Sequence, residues 1–192
     1  MMIRGFYFSK ALMSVQLKLF IFSFATSLAG AAAAANTITF NGEVTDQTCQ
    51  VEINGSSAPV VILDSVPVSA LSAPGMVAGA TPFTLKLTNC VAPATGSESF
   101  QALFQAVNAT SNGNLPNAAA GGAQGVSLQL LDAVGGNPVR LTSGSPAKGG
   151  SIVLQSGQTS ASRDFAIQYY SESAAVSTGM VSGSVTYTVR YE

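Results

Sequence analysis

In two segments near opposite ends of the chain, apolar residues, aromatic residues or glycine alternate with polar residues, with a period of two. The positions on one face are Ile38, Phe40, Gly42 and Val44 in the first segment, and Val185, Tyr187, Val189 and Tyr191 in the last. This alternation is typical of β-strands that bury one face. A strand with a free edge can pair with a strand of another chain. The pattern therefore predicts an all-β protein whose terminal strands can pair between molecules.

Residues 1–34 have the features of a secretory signal peptide. Three basic residues precede an apolar run at residues 19–28, which is too short to cross a bilayer. Small residues follow at positions 31–35, and we place the cleavage site between Ala33 and Ala35. The alternative, a membrane anchor, lacks a stop-transfer segment. We therefore expect a secreted protein of about 157 residues, which is enough for one domain.

The composition of the secreted part excludes several classes of function. It keeps five basic and nine acidic residues, a net charge of −4, and it has no histidine. Scattered charges with an acidic balance do not form a surface for nucleic acid or anionic membranes, so no nucleic-acid partner is expected. Without histidine, neither a Ser-His-Asp triad nor a histidine metal site can form.

Other catalytic signals are equally weak. The carboxylates are spread singly, and no glycine-rich phosphate loop is present. Residues 145–148 match the S-x-x-K pattern of serine enzymes that recognise penicillin, but the companion motifs are missing. These four residues are also predicted to lie in a loop rich in Gly, Ser and Pro. We therefore expect no enzyme, no metal and no cofactor.

The chain has two cysteines, Cys49 and Cys90, and both follow the signal peptide. In an oxidising compartment, two cysteines form one disulfide by default. The alternative is two free thiols. Closing a loop of about forty residues would stabilise the protein by about 4 kcal/mol through chain entropy.

Between the terminal segments, several short apolar patterns predict further strands. Residues that share a face are Cys49, Val51 and Ile53; Phe83, Leu85 and Leu87; Val126, Leu128 and Leu130; and Phe165, Ile167 and Tyr169. Residues 99–107 form a mixed apolar run that could be a short helix, although the turn-rich flanks favour a strand. Residues 135–138 predict a hairpin turn that leads into residues 139–141.

Small-residue loops separate these elements at residues 65–80, 108–125 and 171–180. The final strand is predicted over residues 181–191. Seven or so short strands in one domain of this size predict a β-sandwich of immunoglobulin type. An up-and-down barrel is the alternative.

Four sequence features occur in order at matched spacings. They are residues 36–44 directly after the signal with Cys49 seven residues beyond Gly42, residues 83–90, residues 125–132, and an ending in which Gly179 is fourteenth from the C-terminus and Tyr191 is penultimate. Together they span nearly the whole mature chain. In this combination the chain resembles the subunits of chaperone–usher pili, close to the type 1 fimbrial major pilins.

The resemblance implies an immunoglobulin-like sandwich that lacks its final strand. The pilin domain would be residues 48–192, and residues 35–47 would be an N-terminal donor-strand extension with Ile38, Phe40, Gly42 and Val44 on its inserted face. The C-terminal segment, with Gly179, Val185, Tyr187, Val189 and Tyr191, would border an open groove and contact a periplasmic chaperone during secretion. In the fibre, the extension of the next subunit would replace the chaperone's strand.

Gly42 stands at an inward position although glycine weakens a strand. One interpretation is a β-bulge or a flexible joint between the extension and the first strand. The other is a shallow point in the groove, where only a residue without a side chain fits, and the donor strands of the family resemble this one in that respect.

The function that the resemblance implies is structural. We expect a subunit of a surface fimbria that supports cell adhesion, with identical or homologous subunits, a periplasmic chaperone and an outer-membrane usher as partners. The protein would pass through the periplasm to the cell surface. The alternatives are a minor adaptor subunit and a secreted carbohydrate-binding module or tip adhesin. An adhesin of this system carries an extra N-terminal lectin domain, for which no room exists between the signal and Ile38.

Overall fold

The computed structural model describes residues 49–192, so the predicted signal peptide and donor extension lie outside the described residues. Within this range the backbone forms eight strands, one turn of 3-10 helix at Val68–Leu71 and no α-helix. The strands are β1 (Gln50–Ile53), β2 (Val77–Thr88), β3 (Ser97–Gln105), β4 (Leu115–Pro116), β5 (Val126–Leu131), β6 (Pro146–Gln155), β7 (Ala161–Ser171) and β8 (Thr186–Tyr191). A search of the same residues finds no helix that is long and apolar enough to span a membrane.

The strands form two antiparallel sheets. One sheet has the order β1-β2-β7-β5-β4, and the other has the order β6-β3-β8. The main core cluster takes buried residues from both sheets, among them Leu85 of β2 and Ile152 of β6. This arrangement confirms the predicted all-β sandwich rather than the alternative barrel, because the apolar faces of two separate sheets pack on each other.

Three phenylalanines join the sheets at the centre of the core. Phe83 and Phe165 lie opposite each other on β2 and β7, with parallel-stacked rings 5.7 Å apart. Phe104 of β3 meets both rings edge-on, at centroid distances of 6.4 Å and 5.1 Å. Such pairs contribute about 0.5–1.5 kcal/mol each beyond the burial of apolar area. The aromatic cluster therefore fixes how the two sheets lie on each other.

The prediction for residues 99–107 is confirmed as a strand, because β3 covers most of that run. The hairpin after β5 is only partly right. The Asp132 N–H donates to the Asn137 carbonyl at 3.0 Å, which closes the predicted turn. Beyond it, residues 139–141 form no strand, and Pro138 makes a single bridge to Leu131.

Several boundaries differ from the sequence prediction, and β4 lies inside the predicted loop of residues 108–125. The loop predicted for residues 145–148 was wrong, because β6 begins at Pro146 and pairs with β3. The strand β2 begins at Val77, inside the predicted loop of residues 65–80. The last strand begins at Thr186 rather than at residue 181, since the carbonyls of Met180 and Ser182 accept hydrogen bonds from a neighbouring loop instead.

Cys49 and Cys90 form a disulfide, as predicted. Gln50 of β1 pairs with Thr88 of β2, so the bridge joins the chain just outside the end of this two-strand ladder. The strand β1 has only four residues and pairs with β2 alone among the described strands. The covalent link therefore holds a short edge strand that few hydrogen bonds would hold by themselves.

We predict that a Cys49→Ala/Cys90→Ala variant loses about 4 kcal/mol of folding free energy by chain entropy, because the bridge spans 41 residues. Urea unfolding of the secreted subunit, followed by near-UV circular dichroism, measures this loss. Intact mass after alkylation without a reductant provides the control for the wild type, whose thiols should stay unlabelled. Equal urea midpoints for the two proteins would contradict the prediction.

Candidate functional site: an open apolar groove

An apolar groove of about 290 Å³ opens onto the core. Core side chains from both sheets form its floor: Ile53, Phe83, Phe104, Leu115, Leu128, Leu130 and Ile167. Two chain segments form its walls. The first wall contains Gly183, Ser184, Val185 and Tyr187, and the second wall contains Pro59, Val61 and Leu63. Protein interiors leave few voids larger than a water molecule. A gap of this size, floored by core residues, is therefore space that another apolar group can occupy.

The first wall belongs to the C-terminal segment. In the described part of the chain, β8 pairs on one side only, with β3, so its other edge is free. Val185, Tyr187 and Val189 pack against the core yet stay only partly buried, whereas Thr186, Thr188 and Arg190 are exposed. The inward residues are incompletely covered because no strand lies beyond β8 in its sheet.

The second wall is an extended segment that follows β1. Val61 and Leu63 pack against the core cluster and line the groove. Within residues 49–192, no backbone hydrogen bond involves residues 60–66. Backbone N–H and C=O groups that lack a partner in the protein must be satisfied by water or by another chain. Both walls therefore offer backbone groups for pairing to a strand placed between them.

Of the residues predicted on the C-terminal strand, two line the groove and two lie beyond it. Val185 and Tyr187 line the groove itself. Val189 lies further along β8, against the core. Tyr191 is 37% exposed and its ring meets Phe100 edge-on at 5.7 Å. These two side chains extend the wall beyond the groove rather than lining it.

Gly179 lies before the C-terminal strand and does not contact the groove. Its φ is +152°, and a Cβ there would come within 2.5 Å of the backbone nitrogen of Ala123. Glycine is therefore required because two backbones approach closely at this position. At this close approach the Ala123 N–H donates a hydrogen bond to the Met180 carbonyl at 3.0 Å. This bond holds the segment that leads to β8.

Sequence reasoning missed the second wall. The apolar run at residues 58–63 contains Val61 and Leu63, yet it was not assigned to any element. A continuous apolar run is the available signal, since such runs belong to strands that are buried on both faces. Leu115 was also missed, because it stands alone in a predicted loop and only the fold brings it to the groove floor.

Among residues 49–192, none that lines the groove has a charged side chain, and no group of side chains could hold a metal ion. Its chemistry is limited to burying apolar side chains and pairing backbone groups. These are the two terms that bind an extended strand. The site is therefore suited to a peptide segment rather than to a small polar substrate.

A polar network outside the groove holds the loop that precedes Leu115 of β4. Glu172 is its centre, and hydrogen bonds to the carboxylate come from Thr110, Asn112, Asn114 and Ser127. Burial tends to raise the pKa of Glu172, but the four hydrogen bonds together lower it below its ordinary value. The charged carboxylate therefore fixes residues 110–114, and Leu115 follows directly.

The last residue is also held in place. The Glu192 N–H donates to the Ser99 carbonyl at 2.8 Å, and its carboxylate accepts from the hydroxyls of Ser99 and Ser151 at 3.1 Å and 2.8 Å. These contacts connect the end of β8 to β3 and β6. They help to set the register of the strand that forms the first wall.

Known proteins resemble this chain in sequence. A family model described as Fimbrial protein matches residues 38–192. The chain is 38% identical to the F17 fimbrial protein of Escherichia coli over 165 residues, which cover 81% of this chain and 86% of that protein. It is 36% identical over 173 residues to the major fimbrial subunit SMF-1 of Stenotrophomonas maltophilia, which cover 85% of this chain and 99% of that one.

Solved structures share the fold. The type I fimbria protein BPSL1626 of Burkholderia pseudomallei aligns with a TM-score of 0.52 at 22% identity, over 76% of this chain and 99% of that one. The P pilus rod subunit PapA aligns with a TM-score of 0.50 at 18% identity, over 81% of this chain and 99% of that one. At these identities the structures support the architecture alone.

We predict that the stability of the domain falls in acid through Glu172. Because its pKa is lowered by folding, its contribution is fully present above the ordinary value of 4.5 and is lost as the pH falls through the folded pKa. The variant Glu172→Gln should be less stable near neutral pH and should lose part of this acid dependence. Thermal unfolding between pH 3 and pH 7 measures both effects.

The matched control is Glu52→Gln, because Glu52 lies on β1 opposite Lys86 and is not among the partners of Glu172. This variant should leave the acid dependence that arises from Glu172 unchanged. A Glu172→Gln profile parallel to that of the wild type would show that the network does not depend on the charge.

Proposed function

Because the chain belongs to the fimbrial protein family, whose members are structural subunits, we propose that copies of it join by donor-strand exchange. The protein is a structural subunit of a surface fimbria with an immunoglobulin-like fold. In the proposed step, residues 38–44 of one copy lie in the groove of the next, between β8 and the segment at residues 59–63. The observation that carries the proposal is an apolar groove whose two walls have no backbone partner on the groove side within residues 49–192.

The proposed donor segment matches the groove in chemistry. Ile38, Phe40 and Val44 share one face of an alternating segment, and the groove floor is apolar throughout. Burial of each side chain contributes about 1.5–3 kcal/mol, and each net backbone hydrogen bond adds about 0.5–1.5 kcal/mol. The sum is comparable with the 5–15 kcal/mol that stabilise an ordinary domain. A subunit without a donor should therefore be poorly stable, and the polymer should resist dissociation.

The open groove also gives roles to a periplasmic chaperone and an outer-membrane usher. An empty groove leaves the apolar side chains of its walls, such as Val61, Val185 and Tyr187, only partly covered, so a newly secreted subunit needs a temporary strand. We infer that a periplasmic chaperone supplies this strand along β8 and that an outer-membrane usher receives the complex. Transit through the periplasm also fits the Cys49–Cys90 disulfide, which needs an oxidising compartment. The assembled fimbria would then support cell adhesion.

We predict that Gly42→Arg abolishes fibres. A bulky charged residue on the inserted face cannot enter an apolar groove, because overpacking costs about 1–3 kcal/mol and burying an unpaired charge costs more. Signal cleavage and chaperone binding should be unaffected, so chaperone-bound subunit should accumulate. Electron microscopy and the SDS resistance of surface polymers measure the outcome.

Glu43→Arg is the matched control, because position 43 lies on the opposite face of the alternating segment. It should build normal fibres. Fibres of normal length and SDS resistance from Gly42→Arg cells would refute the donor role of this segment.

Immunogold labelling of wild-type fibres distinguishes a shaft subunit from an adaptor. A shaft subunit is labelled along the length of the fibre, and an adaptor is labelled only at the tip.

We also predict that deletion of residues 188–192 abolishes co-purification with the chaperone. The deletion removes four of the six residue pairs between β8 and β3, and with them most of the edge of β8 that is unpaired within residues 49–192. The truncated subunit should be degraded in the periplasm. The variant Arg190→Gln, which changes only an exposed side chain of β8, should co-purify as the wild type does. Normal assembly of the truncated chain would count against a role for β8 in chaperone recognition.

A further inference from the structure

The segment that forms the second groove wall is apolar on both faces. Residues 58–63 have the sequence Ala-Pro-Val-Val-Ile-Leu, and Val61 and Leu63 face the groove. Val60 and Ile62 alternate with them and are 82% and 84% exposed. A continuous apolar run is typical of a strand that is covered on both faces. In this subunit only one of the two faces is covered.

The other wall of the groove has a different pattern. On β8 the residues that alternate with Tyr187 and Val189 are Thr186, Thr188 and Arg190, and they are exposed. One wall therefore follows the one-sided pattern of a solvent-facing strand, and the other does not. Lining the groove requires only Val61 and Leu63, so the groove does not explain Val60 and Ile62. We call these two exposed side chains the outer ridge.

An exposed apolar strand promotes aggregation, and proteins usually interrupt such strands with polar residues. Here the four consecutive apolar residues 60–63 are flanked by Pro59 on one side and Asp64 on the other, both of which oppose uncontrolled pairing. A specific partner for the outer ridge accounts for this arrangement better than chance exposure.

We propose that the outer ridge packs against the folded domain of a second copy of this chain in the fibre, as a contact separate from strand insertion. This inference rests on the proposed function, because strand insertion places the second copy. The donor segment ends at Val44, and the described domain starts at Cys49. Five residue steps span at most about 18 Å. The domain of the donor copy therefore starts within that distance of the groove, whose wall carries the ridge.

The size and charge of the ridge fit this partner. Two side chains cover far less than the roughly 1,200 Å² of a specific interface that is stable by itself. A tethered copy needs no such area, because the short connection raises its effective concentration to about the millimolar range. The only charged residue between positions 54 and 67 is Asp64, so an anionic membrane is not attracted to the ridge.

The contact is tested by photo-crosslinking in assembled fibres. Ile62 is replaced with p-benzoylphenylalanine, and Val107, which is 83% exposed elsewhere, receives the same replacement as the matched control. Position 62 should give a subunit–subunit crosslink in fibres that is several-fold stronger than that of position 107, and none in the chaperone-bound monomer. No crosslink above the control, or a crosslink to a different protein in the fibre, overturns the proposal.

A second measurement separates the contact from strand insertion. The double variant Val60→Thr/Ile62→Thr keeps β-branched side chains and removes only apolar surface. It should form the same SDS-resistant ladder as the wild type, while its fibres lose regular width in electron micrographs and break under lower shear. The variant Val107→Thr should leave both properties unchanged. Fibres of wild-type width and strength from the double variant overturn the outer contact, and fibres of Gly42→Arg with a normal ladder would instead overturn strand insertion.

Discussion

The free edge of β8 is the constraint on which the rest of this structure depends. The strand pairs with β3 on one side and with no described strand on the other, so the sheet ends where the core is still open. The inward residues Val185 and Tyr187 then remain only partly buried, and they border a groove above buried core residues. A complete sandwich would close this gap with its own chain. Within residues 49–192 the gap stays open, and core side chains form its floor.

Other features stabilise a domain that has this gap in it. The aromatic cluster of Phe83, Phe104 and Phe165 ties the sheets together next to the groove floor. The Cys49–Cys90 disulfide holds the short strand β1, which leads into the second wall. At the C-terminus, Glu192 fixes the end of the first wall through Ser99 and Ser151. Each of these interactions constrains a segment that would otherwise be free to collapse into the groove or to fray from it.

Some elements could be predicted from the sequence, and others could not. The strands around Phe83, Leu128 and Phe165 were predicted because their apolar residues alternate regularly along the sequence. Burial follows this alternation in the second half of β2, whereas all six residues of β5 are buried. The strand β6 was missed because its first residues, Pro146 to Gly150, have little β-propensity and form a strand only through pairing with β3. Leu115 reaches the groove because the hydrogen bonds of Glu172 hold the preceding residues, and these partners are far apart in the chain.

The sequence by itself determined the class of fold, the disulfide and the first wall of the groove. These depend on local alternation, on a pair of cysteines with no alternative partner, and on residues adjacent along the chain. Only the tertiary structure decided that residues 59–63 form the second wall and that Val60 and Ile62 face outward. An apolar run with no alternation does not indicate which of its faces is buried. That choice is made by the neighbours against which the segment packs, and those neighbours are brought to it by the fold.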